Sequence, residues 1–123
     1  MSVIQLLYQD VPRLHPMPFT NLYKVNSDME VRYSIDKVTK SVVITKGFLT
    51  DGASIPRVLW SVVGSPYQPR FIAAAVYHDW ACKHSFNVAE MSEVFRLILK
   101  SSNVSSLRAN AMHKAVYAFK TIF

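Results

Sequence analysis

The sequence predicts an α+β domain in which a small antiparallel β-meander is followed by three to four packed helices. Three observations carry that expectation. Short β-branched and aromatic runs concentrate between residues 21 and 50. Apolar residues recur at helical spacing from residue 54 onward. The 123 residues fit a single domain, 1–123, and half of them are hydrophobic, enough to bury a core. Strands first and helices after is the order of an α+β fold; a doubly wound sheet would interleave them.

Taken in order, residues 1–20 read as an extended N-terminal arm, because VPRLHPMPFT places Pro12, Pro16 and Pro18 close together and proline removes backbone donors. Residues 21–50 read as strands. The runs NLYKV, MEVRYSI and SVVITKGF are separated by the polar turns Asn26-Ser27-Asp28 and Asp36-Lys37-Val38-Thr39-Lys40. In the second run Val31, Tyr33 and Ile35 alternate with Arg32 and Ser34, as on a sheet with one wet face.

Residues 54–123 read as helices. Ser54 can cap a short helix, PRVLWSVV, with Pro56 in its first turn and Gly64 as its stop. Pro69 then opens a longer helix to Cys82 or Lys83. Asn87 with Glu90 three residues on has the spacing of a helix start, and Val88, Met91, Phe95, Ile98 and Leu99 form one face of the helix that follows to Lys100. A last helix, about Ser106 to Ile122, is expected to bury Leu107, Ala111, Ala115, Ala118 and Ile122.

Composition excludes some classes of function. One cysteine, Cys82, rules out an internal disulfide framework. The N-terminus MSVIQLLYQD lacks a basic n-region, and no apolar run nears the ~18–20 residues that span a bilayer, so a soluble cytoplasmic protein is expected. The net charge is +6, and after Glu93 only basic charges follow: Arg96, Lys100, Arg108, Lys114 and Lys120. Nucleic acid is not indicated beyond that basic charge, because no zinc-finger spacing and no aromatic-basic interleaving on strands accompanies it.

Two segments could carry chemistry. The first runs from Gly47 to Pro56, where the last strand turns into a helix and holds Thr50, Asp51 and Ser54 on a rigid frame. The second is Ala73 to His84. Helical spacing puts Phe71, Ala74, Ala75, His78 and Cys82 on one side, so His78 is expected to point inward and to need a partner for its ring nitrogens. Asp79, the next residue, lies roughly 100° around the helix, which makes Asp51 the better partner. Asp51, His78 and Asp79 are the candidate acid–base residues. His78, Cys82 and His84 are the candidate ligands for zinc or another divalent metal. Thr50, Ser54, Trp60 and Trp80 are the candidate binding residues. Each has a plainer role beside it: Asp51-Gly52 as a turn, His78 and Asp79 as a structural hydrogen-bond network, Cys82 as packing, the tryptophans as core or rim.

The residues Gly47-Phe48, Thr50-Asp51-Gly52-Ala53-Ser54-Ile55-Pro56, Trp60 and Ala74-Ala75-Val76-Tyr77-His78-Asp79 resemble a family of small phage and prophage proteins known as a domain of unknown function. Phe95, Arg108-Ala109, Met112 and Ala115-Val116 are similar to its usual ending. The likeness covers roughly residues 30 to 120. It implies a phage or prophage gene acting in the host cytoplasm or with the virion, and an unassigned activity. Where the family carries an Ala-Asp pair in the third helix, this chain has Met91-Ser92, which would alter any cluster built on that Asp. Two classes of function are therefore expected: an accessory protein with a His/Asp acid–base or metal-assisted hydrolytic site, or a non-catalytic binding module such as a host-interaction protein, an inhibitor or a minor virion component.

Overall fold

A computed structural model of the chain describes residues 3–18, 22–50 and 71–122, and side chains as far as residue 118. Among these residues six strands precede three helices. The strands are β1 (Ile4–Gln9), β2 (Leu14–Pro16), β3 (Tyr23–Val25), β4 (Met29–Ile35), β5 (Val38–Ile44) and β6 (Leu49–Thr50). The helices are α1 (Ile72–Lys83), α2 (Val88–Ser101) and α3 (Ser106–Ile122). This is the expected α+β order. The short helix expected over PRVLWSVV, with Ser54, Pro56, Trp60 and Gly64, lies outside the described residues, as does Asp51.

The strands form two antiparallel sheets, ordered β1-β4-β5 and β2-β3-β6. The expected arm is not free: β1 pairs along β4 from Ile4↔Ile35 to Gln9↔Val31, with an irregularity between Leu6 and Tyr8. β2 pairs with β3, although one of the three prolines, Pro16, falls within it. Pro16 is tolerated there because β2 is an edge strand, where a missing backbone donor faces outward. Asp10 fastens the end of β1, its Oδ2 accepting from the Glu30 backbone N–H at 2.8 Å.

The β4–β5 hairpin turns on two residues where five were expected. Asp36 and Lys37 both take positive φ, 50° and 71°, and Val38 already pairs with Ile35. A two-residue loop with both residues left-handed matches the twist of the flanking strands. Val31 and Tyr33 point into the core as the alternation requires, and Arg32 points out.

α2 starts where expected. The Asn87 side chain accepts from the Glu90 N–H at 3.0 Å, which satisfies one of the orphan donors of the first turn. Both α1 and α2 end without glycine. Ser85 (φ 57°) and Asn103 (φ 69°) take the left-handed position. Phe86 N–H then bonds Ala81 C=O at 3.1 Å, and Val104 N–H bonds Leu99 C=O at 3.1 Å. These are Schellman closures, and they tuck Phe86 and Val104 back against their helices.

α1 is the innermost helix. Seven consecutive residues, Ala73 to Asp79, are buried. It needs no polar face because α2 covers one side and β6 another, and its four alanines permit close approach. α2 is amphipathic and buries Met91, Val94, Phe95, Ile98 and Leu99. α3 corrects the sequence expectation. Its inner face is Ala109, Met112 and Val116, while Leu107 is 84% exposed and Ala111 and Ala118 lie outside. Burying Met112 and Val116 removes more apolar surface from water than burying an alanine stripe, so the helix is turned toward its larger side chains.

Candidate functional site

Consecutive residues of α1 face different neighbours, and this separates the candidate side chains. His78 is fully buried toward α2, its ring edge-on to Phe95 with centroids 5.2 Å apart. Cys82, one turn on, places Sγ 3.7 Å from His78 Nδ1 and 3.8 Å from Met91 Sδ. On α2, Ser92 is also fully buried, and its hydroxyl has no hydrogen-bond partner among the described residues. The sequence thus places the imidazole correctly inside. Its expected pairing with Asp51 lies outside the described residues.

Asp79 faces β6 instead. It is 2% exposed, and its Oδ2 lies 3.5 Å from Lys83 Nζ. Lys83 also donates to the Leu49 carbonyl at 3.2 Å and lies over the Phe48 ring at 5.1 Å. One lysine therefore ties the last strand, just before Thr50, to the acid of α1. Thr50 is itself buried and pairs with Tyr23. Ser54 and Trp60, the other binding candidates near this end, lie outside the described residues.

Trp80 and His84 occupy a third direction. Their rings stack 4.2 Å apart, and His84 Nδ1 sits 2.8 Å from the Trp80 carbonyl oxygen. Phe86 meets Trp80 edge-on at 5.1 Å. The structure thus brings His78 and Cys82 together and keeps His84 with Trp80. The three-ligand metal set of His78, Cys82 and His84 is not assembled, because His84 is committed to the Trp80 side. Among the described residues no group of three His, Cys, Asp or Glu side chains is placed to hold a metal ion.

A second polar cluster escaped the sequence reading. Tyr33 on β4 and Tyr77 on α1 are fully buried, with hydroxyls 3.3 Å apart. Tyr33 donates to Glu90 Oε2 at 2.5 Å, and Lys40 Nζ reaches the same oxygen at 2.8 Å. Lys40 also lies 4.3 Å above the Phe86 ring. Burial is the main cause that pushes both phenols above their ordinary pKa of 10.0, so both stay protonated and act as donors. A buried tyrosine that must find a partner was the available signal. Glu90 was legible only as a residue of the helix start.

Beside this cluster opens a groove of about 650 Å³. Ile4 and Ile35 of the first sheet form one side, Ala89, Glu90 and Glu93 of α2 the floor, and His113 of α3 the other side. Tyr117 stacks on His113, with centroids 6.2 Å apart. Glu93 holds Arg96 through both oxygens, at 2.5 and 2.8 Å, and that bond is the main reason its carboxyl titrates below the ordinary 4.5. Burial lowers the His113 pKa below the ordinary 6.5, so its imidazole is neutral at pH 7. The groove is within the size range of small-ligand sites, with mostly apolar walls and a few convergent polar groups.

Fold and site together define a small α+β module with a sealed His/Asp helix at its centre and an open groove at its flank. The chain belongs to the family described as protein of unknown function (DUF1353), whose model matches residues 23–116. It is also similar to two proteins of Sinorhizobium fredii (strain NBRC 101917 / NGR234). One is the uncharacterized protein y4iH, 44% identical over 71 residues, covering 57% of this chain and 30% of that protein. The other is the uncharacterized protein y4jT, 31% identical over 77 residues, covering 62% of this chain and 23% of that protein. The match therefore spans less than a third of the length of either relative. No solved structure matches the chain. Among the described residues no helix is long and apolar enough to cross a membrane.

Proposed function

We propose that this chain is a non-catalytic binding module, an accessory protein of phage or prophage type, whose working surface is the groove between the first sheet, α2 and α3. The observation that carries this reading is burial. His78 is 0% and Asp79 2% exposed, so neither offers an atom to a substrate, whereas the groove is open and lined by apolar and hydrogen-bonding groups. His78 and Asp79 then serve the fold, one against α2 and the other at the end of β6.

A hydrolytic reading is the second one, and one observation favours it. The Asp79 carboxylate, almost fully buried, has Lys83 at 3.5 Å as its one side-chain partner among the described residues. A buried carboxylate so sparsely bonded is a recurring feature of acid–base sites.

Asp79→Asn and His78→Gln separate the two. The binding-module reading expects both variants to melt earlier and to leave ligand-induced NMR shifts at the groove unchanged. Turnover by the folded wild-type chain of an ester, phosphoester, glycoside or peptide bond, abolished by either substitution at a temperature where the variant is folded, would overturn it.

A further inference from the structure

The groove's own chemistry goes one step further than its existence, and the step rests on the binding-module reading. The chain carries a net charge of +6, yet the charged groups lining this groove are two of its three glutamates, Glu90 and Glu93, with no lysine or arginine among the described lining residues. The cations paired with them, Lys40 and Arg96, are not among the lining residues, so the charged atoms the groove presents to a ligand are carboxylate oxygens, acceptors for a positive head.

The two carboxylates are not equivalent. Glu93 spends both oxygens on Arg96. Glu90 receives Tyr33 and Lys40 on the same oxygen, Oε2, which leaves Oε1 for a further donor. Asn87 uses its side-chain oxygen to cap α2, so its amide N–H₂ group is the part left to a ligand at the same end of the groove. His113 and Tyr117 present stacked aromatic faces, and Ile4 and Ile35 supply apolar surface opposite them. An aromatic or branched apolar body fits between the isoleucines and the stacked rings. A positive head fits at Glu90, the lining carboxylate with an oxygen to spare.

We propose that the groove is a binding site for an amphipathic amine: a small apolar or aromatic body carrying a protonated amino group, its ammonium donating to Glu90 Oε1. The site is preformed, because Tyr33 and Lys40 hold the Glu90 side chain from the other side and little ordering remains on binding. Lys40 neutralises part of the Glu90 charge, so the expected affinity is that of a modest, salt-sensitive site.

The test uses the full chain and three probes with one body and different heads: phenethylamine, phenylacetate and 2-phenylethanol. The Ile4 and Ile35 methyl groups and the His113 ring are followed by NMR titration. Phenethylamine is expected to shift these signals saturably, about tenfold or more tightly than the other two, and less tightly as salt rises. Glu90→Gln, which keeps the side-chain shape, is expected to remove the preference for the amine. Ala89→Phe, at an exposed position on the groove floor, is expected to abolish binding with the melting midpoint retained. Equal or tighter binding of phenylacetate or 2-phenylethanol, lost in Ala89→Phe, overturns the amine and leaves the groove as the working surface. Amine binding that survives Ala89→Phe places the site elsewhere and overturns the proposal. Failure of all three probes to shift the groove overturns both the amine and the assignment of the groove.

Discussion

The phenol of Tyr33, on the second strand of the β1-β4-β5 sheet, donates to Glu90 in the first turn of α2 at 2.5 Å, across 57 residues of sequence. This bond joins the sheet to the helix layer. The Tyr77 hydroxyl from α1 lies 3.3 Å from the same phenol, so β4, α1 and α2 meet at one oxygen.

Tyr33→Phe removes that bond while keeping the ring in place. It leaves a half-desolvated carboxylate and a buried Tyr77 hydroxyl short of a partner. The expected loss is about 1–3 kcal/mol by urea unfolding, the range for a hydrogen bond to a charged group. Lys40→Met should cost under about 1 kcal/mol, because its side chain is 39% exposed and a screened surface pair contributes little. A larger loss for Lys40→Met than for Tyr33→Phe would show that the ion pair, and not the phenol, is the anchor.

His78→Ala opens a cavity between α1 and α2 and strips Phe95 and Cys82 of their neighbour. A loss of about 2–4 kcal/mol is expected, as for other large-to-small changes in a packed interior. An unchanged midpoint in thermal melting would show that the imidazole is not structural.

Acid should weaken the fold in two separate windows. Burial lowers the folded pKa of His113 below 6.5, so the unfolded chain takes its proton first, and stability falls as the pH drops through 6.5 toward the lower folded value. His113→Gln should therefore flatten the stability profile between about pH 7 and 5. Glu93 acts in the same direction at lower pH: its bond to Arg96 lowers its folded pKa, so its contribution is present above 4.5 and is lost as the pH falls through the folded value. Asp10 and Glu30, both lowered chiefly by side-chain hydrogen bonds from Tyr8 and Ser41, are lost in that lower window too. Identical profiles for wild type and His113→Gln above pH 5 would contradict a half-buried neutral imidazole.

The orientation of α3 gives a paired prediction. Leu107→Lys should change stability by less than about 0.5 kcal/mol, since the side chain is already in water. Met112→Ala should cost about 2–4 kcal/mol, because Met112 is 2% exposed in the core. Reversal of that order in denaturant midpoints would restore the alanine face to the interior.

Much of the local structure was legible residue by residue. The Asn87–Glu90 spacing marked the start of α2, because a side-chain acceptor and the first free amides are neighbours in sequence. The alternation of Val31, Arg32 and Tyr33 marked β4 and its inner face. Among alanines, His78 could only face inward. The metal set was less secure: helical spacing brings His78 and Cys82 to one side, but His84 is six residues from His78 and its ring settles on Trp80. The strand β1 was missed because IQLLYQ has no strict alternation, and its partner, β4, lies more than twenty residues away.

The sequence by itself determined that strands precede helices, the extents of α2 and α3 to within a residue, and the burial of His78, since caps, turns and periodicity act between residues a few positions apart. Only the tertiary structure decided that the strands divide into two sheets, that α3 turns Met112 inward, and that Tyr33 meets Glu90 beside an open groove. The physical reason is range. A helical repeat states that one face is apolar, but the shape of the surface it lands on selects which face. A buried phenol states that it needs an acceptor, but only the packing of a strand against a distant helix supplies one.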